Sequence, residues 1–126
     1  MKKQIIKSVL ATVLAIAFLM LASFLYLSYE TGFKKTVIAE LKNVETGHSV
    51  IFQEVGCPVS FGPSRVQIIL ENEKGAVVGE VEDRIYNDGK ILQKGNISVV
   101  WTDTGANVTL SGEEQEDKFL KLQYRK

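Results

Sequence analysis

Residues 8–29, SVLATVLAIAFLMLASFLYLSY, decide the architecture of this chain of 126 residues. The stretch has 22 residues with no charge, Pro or Gly, and its large side chains are apolar: Val9, Leu10, Val13, Leu14, Ile16, Phe18, Leu19, Met20, Leu21, Phe24 and Leu25. About 20 residues rising ~1.5 Å each cross a hydrocarbon core of ~30 Å. Only a helix satisfies the backbone of a single lipid-embedded segment. The reading is therefore a transmembrane helix over 8–29. Tyr26, Tyr29 and Phe33 gather at one end, where aromatic rings favour the headgroup layer.

Charge sets the expected orientation. Lys2, Lys3, Lys7 and the N-terminal amine stand on one side of the run, against Glu30, Lys34 and Lys35 on the other. The more basic flank stays inside, which makes 1–7 a cytoplasmic N-terminus and puts the rest outside the plasma membrane as a single-pass protein. A cleavable signal peptide would have an apolar core of about 7–15 residues followed by small residues at the cut. This run is longer, Met20 and Ala22 make a poor cleavage site, and no Cys follows at once to be lipidated, so an uncleaved signal-anchor is expected.

Beyond the run the chain carries 12 basic and 15 acidic residues, so it is mildly acidic and does not cluster Lys and Arg. That balance excludes nucleic acid as an expected partner, because phosphate binding needs a basic face. Cys57 is the single cysteine, so no internal disulfide is available, and beside Pro58 it is expected to be a half-buried small apolar residue.

Past Gly32 the pattern becomes short alternating segments separated by Gly, Asn and Asp, as half-buried strands require. One face carries Val50 and Phe52, then Val66, Ile68 and Leu70, then Val77, Val81 and Ile85. Three more runs follow: Ile97, Val99 and Trp101; Val108 and Leu110; Leu120, Leu122 and Tyr124. The expected fold class is all-β: the N-terminal transmembrane helix, then a small antiparallel β-sandwich or meander of six or seven strands. Residues 30–47 form a juxtamembrane segment with a possible first strand over Thr36–Leu41, or else an amphipathic extension of the helix through Phe33, Val37, Leu41 and Val44. Residues 48–126 form the extracytoplasmic β domain. Glu73-Lys74-Gly75, Asn87-Asp88-Gly89 and Asp103-Thr104-Gly105 read as hairpin turns, the last with Gly105 left-handed. Trp101, Phe52, Ile68 and Val108 are expected at the centre of the core.

No catalytic or cofactor motif is found. Asp103-Thr104-Gly105-Ala106 resembles the active-site loop of retroviral-type aspartic proteases, but Trp101 and Thr102 precede it where that family has apolar residues, and a turn is the expected role. Glu113, Glu114, Glu116 and Asp117 lack the ligand order of a calcium loop. One His and one Cys make no zinc site. His48 has no recognisable nucleophile or orienting group. Asn96-Ile97-Ser98 and Asn107-Val108-Thr109 match the glycosylation sequon. Both prolines lie in the segment 57–64, which places Val59 and Phe61 in a loop; Phe61 is expected to plug an open end of the domain or, alternatively, to present a recognition surface. The candidate interaction surface is Val59, Phe61, His48 and Glu114.

Residues Phe61–Val66, Asn87–Lys90 and Asn96–Gln115, with the anchor, give the chain a resemblance to small single-pass membrane proteins of Gram-positive bacteria. The resemblance implies an envelope location and no activity or site. The expected function is a membrane-tethered, non-enzymatic module that binds a protein or envelope component or serves as an accessory subunit. A small hydrolase with an unrecognised site, or a ligand- or metal-sensing domain, is the alternative. The expected partners are the lipid bilayer and another membrane or envelope protein, with no cofactor.

Overall fold

The computed structural model describes residues 1–58 and 61–124. Helix α1 runs Lys2–Gly32 and buries none of its residues. It is long and apolar enough to cross a membrane, and longer at both ends than the 8–29 stretch because the flanking residues, charged ones among them, continue the same hydrogen-bond ladder. Among the described residues seven strands follow: β1 Lys35–Lys42, β2 Ser49–Val55, β3 Ser64–Glu71, β4 Val77–Ile85, β5 Ile97–Thr102, β6 Gly105–Gly112 and β7 Gln115–Gln123, with a short 3-10 turn at Lys94–Asn96 before β5. Thr36–Leu41 is thus a strand, not a continuation of the helix.

All pairings are antiparallel between sequential strands, in a sheet of order β1-β2-β3-β4 and a second of order β5-β6-β7. Period-two alternation puts Ala39, Val50, Phe52, Val66, Ile68, Leu70 and Ile85 on the inner face of the first sheet. Ile97, Ala106, Val108, Leu110 and Leu122 line the inner face of the second, and the two faces share one core. Phe52, Ile68 and Val108 lie at its centre as expected, but Trp101 does not. It sits on the edge strand β5, opposite the small Ala106, and is only half-buried against the cluster.

The two sheets meet where β7 lies beside β4. No backbone ladder joins these strands; separate hydrogen bonds bridge the two sheets instead. Lys118 Nζ lies 3.2 Å from Asp83 Oδ1 and 2.9 Å from the Arg84 carbonyl oxygen. The Tyr86 N–H donates to Gln115 Oε1 at 2.7 Å, and the Glu114 N–H to the Tyr86 carbonyl at 3.1 Å.

The turns differ in mechanism. Gly75 has φ +79° in the β3–β4 hairpin, where Asn72 Oδ1 also accepts the Lys74 and Ala76 N–H groups. Asp88 and Gly89 both have positive φ, but the turn they make opens a crossover to β5 and joins no hairpin. Gly105 is not left-handed. It is needed because a Cβ there would stand 1.8 Å from the Leu122 carbonyl oxygen of β7.

Strand directions give the domain two ends. The start of β1, the end of β2, the start of β3 and the end of β4 all lie where α1 joins, together with the crossover 86–96 and the β6–β7 turn. The loops 43–48, 72–76 and 103–104 lie at the far end, about 20 Å away for seven residues of strand at ~3.4 Å each.

Candidate functional site

The junction between α1 and the domain is built from backbone groups. The last turn of a helix leaves carbonyls without intrahelical partners, and here the β2–β3 connection supplies donors. The Cys57 N–H donates to the Thr31 carbonyl at 3.1 Å, and the Gly56 N–H to the Lys34 carbonyl at 2.6 Å. Arg65 Nη1 donates to the Gly32 carbonyl at 3.2 Å. Gly56 has φ +72°, and a Cβ there would lie 2.1 Å from the Thr31 oxygen, so only glycine admits this approach. Lys34 pairs with Glu30 at 3.1 Å across one helical turn. Hydrogen bonding to Glu30, and then its charge, raises the Lys34 pKa above the ordinary lysine value.

The expectation that Phe61 plugs the open end is corrected: Phe61 is 75 % exposed. Leu92 fills that place instead, at 2 % exposure, carried in by the crossover that leaves β4. Glu54, on the inner face of β2, is buried beside it and accepts the Leu92 N–H. Burial raises the Glu54 carboxyl above the ordinary carboxylate value, and the Leu92 hydrogen bond opposes that in part. Sequence reading missed both residues, because Leu92 lies in no alternating run and Glu54 looks like an outward polar residue until the register turns it inward.

Above Leu92 the crossover and the β6–β7 turn enclose a cleft of about 680 Å³, lined chiefly by Asn87, Lys90, Ile91, Asn96 and Glu113. Lys90 Nζ lies 2.7 Å from Glu113 Oε1, and that bond followed by the charge raises the Lys90 pKa. Buried Asn87 accepts the Glu113 N–H at 3.2 Å. Asn96 Oδ1 accepts the Gln93 N–H and its Nδ2 donates to the Ser111 carbonyl, so this sequon side chain is engaged in closing the 3-10 turn against β6. Asn107 is exposed on β6.

Of the candidate interaction residues, Phe61 and Glu114 belong to the junction end and His48 to the far end, so they form no single surface. Val59 lies outside the described residues. His48 is half-buried and stacks on Tyr124 with ring centroids 4.0 Å apart, pinning the start of β2 against the end of β7. It lines neither the cleft above Leu92 nor the smaller one beside Arg65 and Arg84. Glu114 lies against Asp88; their hydrogen bond, lost hydration and the charges of Asp88 and Glu113 hold its carboxyl above the ordinary value. Among the described residues no group of three or more His, Cys, Asp or Glu is disposed to hold a metal ion. Cys57 is exposed, which corrects the half-buried placement: its N–H is drawn to Thr31 at the outer surface of the junction.

Comparison with protein-family models, with curated proteins and with solved structures finds no match.

Proposed function

We propose that the chain is a membrane-tethered, non-enzymatic β domain at the outer face of a bacterial plasma membrane, where it binds a protein or envelope component or acts as an accessory subunit. One observation carries this reading. Helix α1 is bare along its length, yet its end is hydrogen-bonded into the β domain through Thr31 and Gly32, and through Lys34 just beyond it. The helix end is thereby continuous with the fold of the domain, as a tether that holds the domain close to the bilayer requires.

The outward placement rests on the basic flank of Lys2, Lys3 and Lys7, and the envelope setting on the resemblance to Gram-positive single-pass proteins. With two residues between helix and strand the domain has no flexible stalk, so its surfaces meet neighbours in the bilayer in one pose. Confinement of this kind raises effective concentration, and modest affinity suffices. The concave surface between Lys90 and Glu113 is the place such a neighbour would engage.

Crosslinking in intact cells, followed by identification of the captured species, tests the reading. The expected result is a discrete adduct lost in a Lys90→Glu, Glu113→Lys double reversal of the cleft. A chain that stays uncrosslinked at native abundance overturns it.

A further inference from the structure

We infer that Phe61 of the β2–β3 connection, with Ile91 of the crossover at the same end of the domain, makes a second lipid contact that seats the domain against the headgroup layer. The inference rests on the reading of α1 as a membrane anchor and adds a surface to it. The carbonyls of Thr31 and Gly32 lie two and three residues past the uncharged run 8–29, hence within the interfacial layer if that run fills the hydrocarbon core. The Cys57 N–H is bonded to the Thr31 oxygen at 3.1 Å, which brings the loop to that depth. Phe61 is four positions on from Cys57, a reach of at most about 14 Å at ~3.5 Å per residue, comparable with the ~5–10 Å to which interfacial side chains sink.

Three large apolar side chains from three separate segments stand exposed at this end: Phe33 at 71 %, Phe61 at 75 % and Ile91 at 79 %. Ile91 is driven outward because Leu92, its neighbour, fills the end of the core. Lys35 and Arg65 stand at the same end and suit phosphate headgroups. Val44 and Phe119 are also exposed, but one belongs to the far end and the other to the middle of β7, where no bilayer continues from the anchor. The occupant is therefore the lipid that surrounds α1, continuous with the anchor's own lipid contact.

The single native thiol provides the test. Full-length chain is labelled at Cys57 with an environment-sensitive fluorophore and reconstituted in vesicles of phosphatidylcholine and phosphatidylglycerol containing a quencher at the shallow acyl position. The expected result is strong quenching that falls roughly threefold or more in Phe61→Ser, as removal of one buried ring implies. The same label in the far-end variant C57S/E73C is expected to stay unquenched. Equal quenching with and without the Phe61 ring, an unquenched Cys57 label, or a far-end label quenched as strongly would overturn the lipid contact. Alkaline extraction of the same vesicles reads the anchor by itself: a chain stripped from the lipid overturns the tether, whereas a chain retained but unquenched overturns the loop contact alone.

Discussion

Arg65, the second residue of β3, donates from Nη1 to the carbonyl oxygen of Gly32, the last residue of α1, across 3.2 Å and 33 positions of sequence. With the Gly56 and Cys57 amides it makes the helix end part of the folded domain. Gly56→Ala should break this junction. The left-handed backbone alone costs a β-carbon about 1–2 kcal/mol, and the contact with the Thr31 oxygen adds to it. A loss of at least about 2 kcal/mol is expected, with faster proteolysis between Gly32 and Lys35. A full-length chain in micelles that melts unchanged after this substitution would show that helix and domain are uncoupled.

Glu54 should make stability depend on pH. Its carboxyl is raised in the folded state, chiefly by burial, so folding takes up a proton between the ordinary carboxylate value and the raised one. The stabilisation is fully present below the unfolded value and is lost as pH rises through the folded one. Glu54→Gln keeps an oxygen for the Leu92 N–H and removes the titration. Thermal melts from about pH 4 to 8 should then flatten, with the variant at least as stable as the parent at neutral pH. A variant whose stability still falls across that range would assign the dependence to another group.

The glycines separate two mechanisms. Gly105→Ala meets the Leu122 carbonyl at 1.8 Å without any backbone strain, and a loss of about 3 kcal/mol or more is expected from overpacking between β6 and β7. Gly95→Ala meets nothing within 4 Å and has no positive φ, so its effect should stay within about 0.5 kcal/mol. Denaturant midpoints of the two variants measure the contrast, and equal shifts would refute it.

Core placement predicts a reversal of rank. Fully buried Phe52 should cost about 3–5 kcal/mol when cut to Ala. Half-buried Trp101, which the alternating pattern alone assigns the same cost, should lose about half as much. Unfolding of both variants followed by circular dichroism gives the comparison, and an equal or larger loss at Trp101 would place it in the centre after all.

The strands were readable because alternation has a local cause: each residue on a pleated strand faces opposite to its neighbours. All six runs from Val50 to Leu122 are strands, and Thr36–Leu41, which the sequence offers as a strand or as an extension of the helix, is decided as a seventh by its pairing with β2. The turn at Asp103 was located correctly and explained wrongly, since Gly105 answers to the Leu122 carbonyl of β7 and not to its own φ. Leu92 takes the core place expected of Phe61 for a related reason. Both are apolar residues in connections, and which of them reaches the core depends on the path of the crossover.

The sequence by itself determined one apolar helix, the strands and the sites of the turns, because each follows from composition and period within a few neighbouring residues. Tertiary structure alone decided how the sheets close: the Lys118–Asp83 bridge, Leu92 over Glu54, and the bonds from Cys57 and Arg65 to the helix end. These join residues 26 to 38 positions apart, and no local pattern encodes contacts whose partners are chosen by the packing of whole strands.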